Sequence, residues 1–507
     1  MTNLVTAIAL LHKAFQQQTV TELQLQQVGT SLWPICRPLL LASHTPMQRI
    51  ICLNTQAYPN LYWESLWHPV LHFLAKHPDY TFYHQWVNTQ ISSKQPFPLR
   101  ILLFTIQSEK ELQTTLEIET EQQVLYTVLQ PFIQQGLVTL QMPDDGRFST
   151  FTQLLEQAWH LVILSGHAVL SEQADIHFLF ETTEGQTTVI PTTQLMRYLQ
   201  NARIECLVLA VCHSAQLAAD LHPYIPHVVG MRDKVLDRAS HVFIQHFCQH
   251  LLQQQRVDIA VQQARIAMTQ LLAPEETWSN AQLKTIVDPS QGQWSLPTLY
   301  SQNPLRTLTA TVSATDLTPV QATPPPFLIG QRLVLRQLMT LLQQTKAMVW
   351  LTGEAGTGKT TIARRICWQL QQQGYDIFYS FDALPLTSTR PYLLYLEVIT
   401  TETLPNIQQC LVNLNGACLF VSRQFFDSEL PMVKYALPAP HFTDFLRYSR
   451  YLKLPHTQVQ LRLIYHLFKG NFTVVQLFQN LPFTTDKALF HQQLAIAKRF
   501  LRGKMGE

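Results

Sequence analysis

Charge is scarce in this chain: Asp, Glu, Lys and Arg make up 14% of its 507 residues, against about 25% in an ordinary soluble domain. The 36 Lys+Arg and 34 Asp+Glu nearly cancel to +2, so no broad electrostatic footprint for nucleic acid or an anionic membrane exists. No apolar run approaches the ~20 residues of a bilayer span; the longest, around Cys206 to Cys212, has the length of a strand. Met1 to Leu11 lacks a preceding Lys or Arg and a small-residue cleavage site, and reads as a helix rather than a secretion signal. The eight cysteines are scattered, with no Cys-x-x-Cys pair and no histidines at metal-ligand spacing. That pattern argues against a zinc site and for a reducing cytoplasm. What is present is 46% hydrophobic residues at a mean hydropathy of +0.01, enough for about three globular units, with glutamine supplying much of the surface polarity.

Short apolar runs alternate with amphipathic stretches. Strands are expected at Pro98–Thr105, Leu137–Gln141, His160–Leu164, Ile204–Val211 and Val228–Gly230. Helices are expected at Thr120–Gln135, Thr150–Gln157, Thr193–Gln200, Arg238–Gln253 and Asp258–Leu272. The alternation implies an α/β sheet with helices on both faces. Residues 306–326, almost uncharged, Thr/Ala/Pro-rich and closed by three prolines, read as a linker. The expected organisation is a first unit over 1–305 (an N-terminal region, 1–95, and a core, 96–305), the linker, a second α/β unit over 327–440, and a short helical region over 441–507.

In the second unit a strand at Ala347–Thr352 enters Gly353-Glu354-Ala355-Gly356-Thr357-Gly358-Lys359-Thr360-Thr361 and then a helix. This fits G-x-x-x-x-G-K-[ST] at every fixed position. The glycines let backbone N–H groups turn inward on phosphates, Lys359 reaches the β/γ oxygens, and Thr360 ligates Mg²⁺. The expected cofactors are ATP or ADP with Mg²⁺. Hydrolysis needs a carboxylate on a neighbouring strand to hold the metal's water shell. Glu397, ending the run Pro391–Leu396, is the candidate through water, with an ordinary strand-end acid as the alternative. Arg423, after Cys418–Val421, is a candidate γ-phosphate sensor or a surface charge. Only one carboxylate is present, which favours slow or absent turnover.

In the first unit, His160–Leu164 runs into Ser165-Gly166-His167-Ala168 and Cys206–Val211 into Cys212-His213-Ser214. In a parallel sheet the C-terminal strand ends form one edge, so His167 and Cys212 can share a cleft. Their separation, 212 − 167 = 45, is close to the roughly 50 between the histidine and cysteine of caspases. A thiol becomes a nucleophile at neutral pH when a histidine stands beside it. The other reading is a buried structural cysteine and a plain turn.

The surrounding segments resemble a CHAT domain, the caspase- and separase-like peptidase of clan CD. Leu61-Tyr-Trp63-Glu64-Ser-Leu66, the Pro98 strand, the helix from Glu119 to Leu129, Ser165-Gly-His167-Ala, Leu207–Ser214, Val229-Gly-Met-Arg232, Val235-Leu-Asp237 and Trp294-Ser-Leu-Pro297 follow in family order. The resemblance implies a caspase-like, mostly parallel sheet, Cys212 as nucleophile and His167 as general base. Backbone N–H groups of Cys212 and Ala168 would hold the oxyanion. Ala168 stands where the family prefers glycine, and a turn with φ > 0 there would strain an alanine. Asp237 is expected to line a pocket for a basic P1 side chain, or else to cap a helix N-terminus. The second half resembles the STAND class of P-loop NTPases through Phe327-Leu-Ile-Gly330-Gln-Arg332, the phosphate loop, Glu397, Val421-Ser-Arg423 and Gly470-Asn-Phe472. Glu replaces Asp in the second motif, and Phe472 replaces the proline of the segment that closes on adenine. Together the resemblances imply a cytosolic cysteine endopeptidase gated by a nucleotide-binding module, of a kind found in prokaryotic antiviral defence or regulated cell death. Its expected partners are a protein substrate and a separate sensor or trigger protein, with a homo-oligomer left open and neither membrane nor nucleic acid expected. The alternative is an inactive CHAT interaction module on a nucleotide-binding signalling scaffold.

Overall fold

The computed structural model describes residues 2–36, 43–45, 48–85, 98–108, 118–171, 175–254, 256–270, 292–303, 306–308, 327–344, 346–384, 390–397, 416–425 and 432–505. The chain opens with helices α1 (Thr2–Gln17) and α2 (Glu22–Cys36), then short strands β1 (Ser43–Thr45), β2 (Gln48–Leu53), β3 (Trp67–His68), β4 (His72–Phe73) and β5 (Tyr80–His84). An alternating core follows: β6 (Leu99–Ile106), α3 (Ile118–Gln134), β7 (Val138–Gln141), α4 (Phe148–Leu154) and β8 (Trp159–Gly166). Next come β9 (Ala168–Leu170), β10 (Ile176–Glu181), β11 (Thr187–Pro191), α5 (Thr192–Asn201) and β12 (Ile204–Ala210). The series ends with α6 (Ala215–Leu221), β13 (His227–Met231), α7 (Asp237–Gln254), α8 (Val257–Met268) and β14 (Pro297–Ser301).

Nine of these strands form one sheet in the order β1-β2-β5-β14-β13-β12-β8-β6-β7. Pairing is parallel except at β1–β2 and β13–β14. The central strands β8 and β12 are buried along their whole length, which is why their sequences are continuous apolar runs rather than alternating ones. On one face Val162, Leu164 and Leu207 join Leu195, Leu199 and Leu217 of α5 and α6 in one cluster, together with Phe178 and Phe180 of a small antiparallel sheet, β11-β10-β9. The other face is covered by α3, whose Glu121 accepts a hydrogen bond from Ser165, and by α7, which packs on α3.

The second unit contains α9 (Arg332–Leu342), β15 (Met348–Thr352), α10 (Lys359–Gln372), β16 (Asp376–Phe378), β17 (Tyr392–Glu397), β18 (Ala417–Val421) and β19 (Val433–Ala436). Its five strands are all parallel, in the order β16-β17-β18-β15-β19. Helices Phe442–Tyr451, Gln458–Phe468, Phe472–Gln479 and Lys487–Met505 follow, packed around Phe445, Ile464, Val474 and Phe478.

By contact density the chain divides into two compact units, Met1–Pro324 and Pro325–Glu507. The terminal helices group with the phosphate-loop sheet, because Phe472 N–H donates to Gly356 O at 3.0 Å and Asn471 Nδ2 to Ala355 O at 2.9 Å. Of the expected linker, residues 309–326 lie outside the described residues. Sequence periodicity missed α2, α6, β1–β5, β9–β11, β14, β16, β19 and the helix Phe472–Gln479. All but α2, which carries Pro34 inside, are two to eight residues long, too short for a period to register.

Candidate functional site

Strands β8 and β12 are parallel neighbours, with Leu209 opposite Leu164 and Ala210 opposite Ser165. Cys212 and His167 each follow two residues after the last of these pairs, Ala210 and Ser165, so both lie just beyond the C-terminal ends of neighbouring strands. Gly166 makes the turn to His167 feasible. It has φ +150°, and a Cβ there would lie 2.2 Å from Ile106 Cγ1 and 2.4 Å from Ile106 O, so any side chain would collide with β6. Ala168 begins β9 and has no positive φ, so the strain that a left-handed turn would impose on alanine does not arise. The chain after Cys212 is pinned by the buried Ser214. Its hydroxyl donates to Leu209 O and Val211 O at 2.9 and 2.7 Å and accepts from Met231 N–H at 2.9 Å.

Cys212 is partly exposed, and its thiol donates to Val235 O at 3.8 Å. Burial pushes the thiol above its ordinary value, against the backbone hydrogen bond with Val235; the charge of Asp237 adds to burial, Lys234 opposes it and Asp233 adds to it. Asp237 is the first residue of α7 and acts electrostatically on both Cys212 and Glu121. Glu121 is buried below the Ser-Gly-His turn, accepting from Ser165 Oγ at 2.7 Å and Thr105 Oγ1 at 3.3 Å. Burial pushes its carboxyl up to about 7, and the charge of Asp237 adds to this against those two hydrogen bonds.

Sequence reasoning missed a second cluster beside Cys212. Asp233 is fully buried. It accepts from Tyr62 Oη at 2.6 Å, Gln16 Nε2 at 2.5 Å and the Lys234 backbone N–H at 2.8 Å. Two imidazoles flank it, His12 Nδ1 at 2.7 Å and His213 Nδ1 at 3.7 Å. Burial lowers His213, with His12 and Lys234 adding and Asp233 opposing. No sequence spacing announces this cluster, since His12 and Asp233 are 221 positions apart.

In the second unit Gly353, Gly356 and Gly358 have φ of +158°, +78° and +95°, the values that turn N–H groups into a phosphate loop. Lys359 Nζ donates to Gly353 O and Glu354 O, both at 2.7 Å. Thr360 Oγ1 donates to Glu397 at the end of β17, and Arg364 lies 3.8 Å from the same carboxylate. Lys359 is lowered by burial and by the charge of Arg423, against Glu354 and Glu397. Arg423, just past β18, is therefore close enough to act on the loop. Val398, where a second acid would stand, lies outside the described residues. A cavity of about 330 Å³ opens over the loop, lined by Phe327, Ile329, Gln331, Lys359, Tyr448 and Phe472. Tyr448 meets Phe472 edge-on at 5.1 Å. Phe472, which replaces the family's proline, thus forms part of an aromatic wall.

A family model described as the CHAT domain matches residues 23–350, well over half of the chain. No curated protein matches significantly. Among solved structures, the Arg-specific cysteine proteinase gingipain R aligns at 9% identity and TM-score 0.30, over 57% of this chain and 69% of that one. A replication initiator DnaA bound to AMPPCP and single-stranded DNA aligns at 11% identity and TM-score 0.26, over 32% of this chain and 64% of that one. A STAND protein with a tetratricopeptide repeat sensor from Pyrococcus horikoshii aligns at 11% and TM-score 0.22, over 31% of each chain. The chain thus spans less than two thirds of the initiator and about a third of the STAND protein. At such TM-scores these likenesses assign neither fold nor activity to this chain.

Proposed function

The chain belongs to the CHAT domain family, and on that premise we propose that it is a cysteine endopeptidase with a Cys212–His167 dyad, held in check by its nucleotide-binding unit. The observation that supports this reading is that the parallel neighbours β8 and β12 both end at the same sheet edge, with Ala210 opposite Ser165, and the chain reaches Cys212 and His167 two residues beyond that last pair. His167 takes the thiol proton and the sulfur attacks the scissile carbonyl carbon. The oxyanion is received by the N–H groups of Ala168 and Cys212, donors of a kind worth about 10²–10³ in rate each. His167 then protonates the departing amine. Water, deprotonated by His167, hydrolyses the thioester and restores the thiol. Asp237 receives a basic P1 side chain. The resting thiol is raised by burial and donates to Val235 O, and in this reading the gate acts by changing the surroundings of Cys212.

The residues of the phosphate loop fit a nucleotide. Three glycines hold positive φ, and Lys359 spends its donors on loop carbonyls that phosphate oxygens would replace. Gly353 to Thr361 would hold ATP or ADP, Thr360 the Mg²⁺, and Glu397 the same ion through water, with Arg423 toward the γ-phosphate. The bound nucleotide supplies the charge that these side chains respond to, so its state sets the unit's conformation. By family resemblance the setting is prokaryotic cytoplasmic defence or regulated cell death, with a separate trigger protein and a protein substrate.

The test is labelling of wild type and Cys212→Ala by an acyloxymethyl ketone peptide with P1 arginine, with and without ATP·Mg²⁺. Cys212-dependent labelling that changes with nucleotide is expected, and Asp237→Ala should abolish the preference for P1 arginine over alanine. A second reading, an inactive CHAT module on a nucleotide-binding scaffold, is favoured by the raised thiol. Alkylation that spares Cys212 in every nucleotide state would select it.

A further inference from the structure

Strand β9 starts one residue after His167 and is the last strand of the small sheet β11-β10-β9; among the described residues nothing pairs with its outer side. Its ladder parity is fixed by two hydrogen bonds, Ser171 N–H to Asp175 O at 2.8 Å and Leu179 N–H to His167 O at 3.1 Å. In an antiparallel pair the bonded residues alternate, so 167, 169 and 171 face β10. The N–H and C=O groups of Ala168 and Leu170 therefore point to the open edge. Sheet edges of this kind are where extended peptides add a strand. The exposed side chains here are apolar, Val169 at 44% and Leu170 at 42%.

The outward Ala168 N–H is also the donor assigned to the oxyanion, so the scissile carbonyl and the free edge share one hydrogen-bonding line. Asp237, the P1 partner, opens α7 on the α3 side of the main sheet, whereas β9 lies on the α5–α6 side. A peptide whose P1 residue faces Asp237 and whose chain crosses to the opposite side after the scissile bond lays its following residues on β9, running parallel to that strand. Parallel ladder geometry then fixes the register. Ala168 N–H donates to the P1 carbonyl, P2′ N–H donates to Ala168 O, and Leu170 N–H donates to P2′ O. The P3′ side chain stands beside Leu170. Beside Leu170 opens a cavity of about 710 Å³ with a mixed wall: Ile8, Ile176 and Leu217 form its apolar part, and His12, His213 and Asp220 line the polar remainder.

We propose that the free edge of β9 is the dock for the substrate segment following the scissile bond, which adds as a parallel strand and places a bulky apolar P3′ side chain in this cavity. This rests on the peptidase reading of the same site and names its substrate class.

The test uses the full chain carrying Cys212→Ala. Its probe is a pool of acetylated, amidated peptides with arginine followed by four randomised positions, against the same peptides ending at arginine amide. The extended pool should bind at least about fivefold tighter, with bulky apolar residues enriched at the third position after arginine, and should slow exchange of the Leu170 amide. Leu170→Pro deletes the outward N–H together with the leucine side chain and fixes φ, while residues 169 and 171, which bond to β10, keep their N–H groups; Leu170→Ala is the control for the side chain. Leu170→Pro should lose about fivefold in affinity for the extended pool and none for the truncated one. Leu170→Ala, which keeps the N–H, should lose the third-position preference alone. Equal binding of both pools, or no effect of Leu170→Pro, overturns the dock. Labelling of Cys212 in wild type by a probe ending at P1 reports the peptidase reading separately. Its absence beside intact extended-peptide binding would remove the chemistry and leave the dock.

Discussion

Glu121 gives the sharpest quantitative test of the site. Its carboxyl is buried under the turn that carries His167 and is pushed from an ordinary 4.5 to about 7. At ~1.36 kcal/mol per pH unit, that difference corresponds to about 3 kcal/mol. The sign follows from proton binding. Between pH 4.5 and 7 the folded chain holds a proton that the unfolded chain has released, so stability falls as pH rises through this window and is level on either side. Glu121→Gln keeps an acceptor for Ser165 and cannot ionise, so it removes the dependence. The stability difference between wild type and Glu121→Gln should move by about 3 kcal/mol between pH 4.5 and 7.5, in favour of the variant at the higher pH. Urea titrations at pH steps across the window, followed by amide exchange in β8 so that only the first unit is read, measure it. Parallel curves, differing by a constant amount at every pH, would refute the assignment of a neutral buried carboxyl beneath the Ser165–His167 turn.

Three further outcomes follow from particular contacts. Lys359→Ala removes the ammonium now held by Gly353 O and Glu354 O, and ATP affinity by equilibrium dialysis should drop at least about thirtyfold. Glu64 is fully buried, 2.9 Å from His84 Nε2 and 3.5 Å from Arg265 Nη2. Burial raises its carboxyl, but His84, Arg232 and Arg265 outweigh that and hold it at about 2. Glu64→Ala strands the buried guanidinium of Arg265 and leaves His84, whose own titration is lowered by burial, without its partner; it should cost about 3–5 kcal/mol in denaturant unfolding, whereas a loss under 1 kcal/mol would show the network to be dispensable. Thr457 forms a capping box with Gln460 at the start of the helix Gln458–Phe468. Thr457→Ala should cost about 1 kcal/mol, read by exchange of that helix's first amides.

The sequence made legible whatever is carried by an unbroken run or a fixed spacing. Strands β8 and β12, apolar from end to end, announced themselves and so located His167 and Cys212 at their ends, and the phosphate loop was complete in nine consecutive residues. Partners that meet only through the fold were not legible. Tyr448 and Phe472 share a wall over the phosphate loop but lie on different helices, and Glu121 reaches Ser165 from 44 positions away. Least legible was the segment 232–237, because its decisive contacts use main chain or distant side chains. Val235 holds the thiol with a backbone carbonyl, a group every residue possesses. Asp233 in the same segment is tied to Tyr62 and to His12 of α1, and Asp237 acts on the thiol by its charge. One short stretch therefore sets the thiol's hydrogen bond, its electrostatic surroundings and its link to the N-terminal helix. A displacement of that stretch would change all three together.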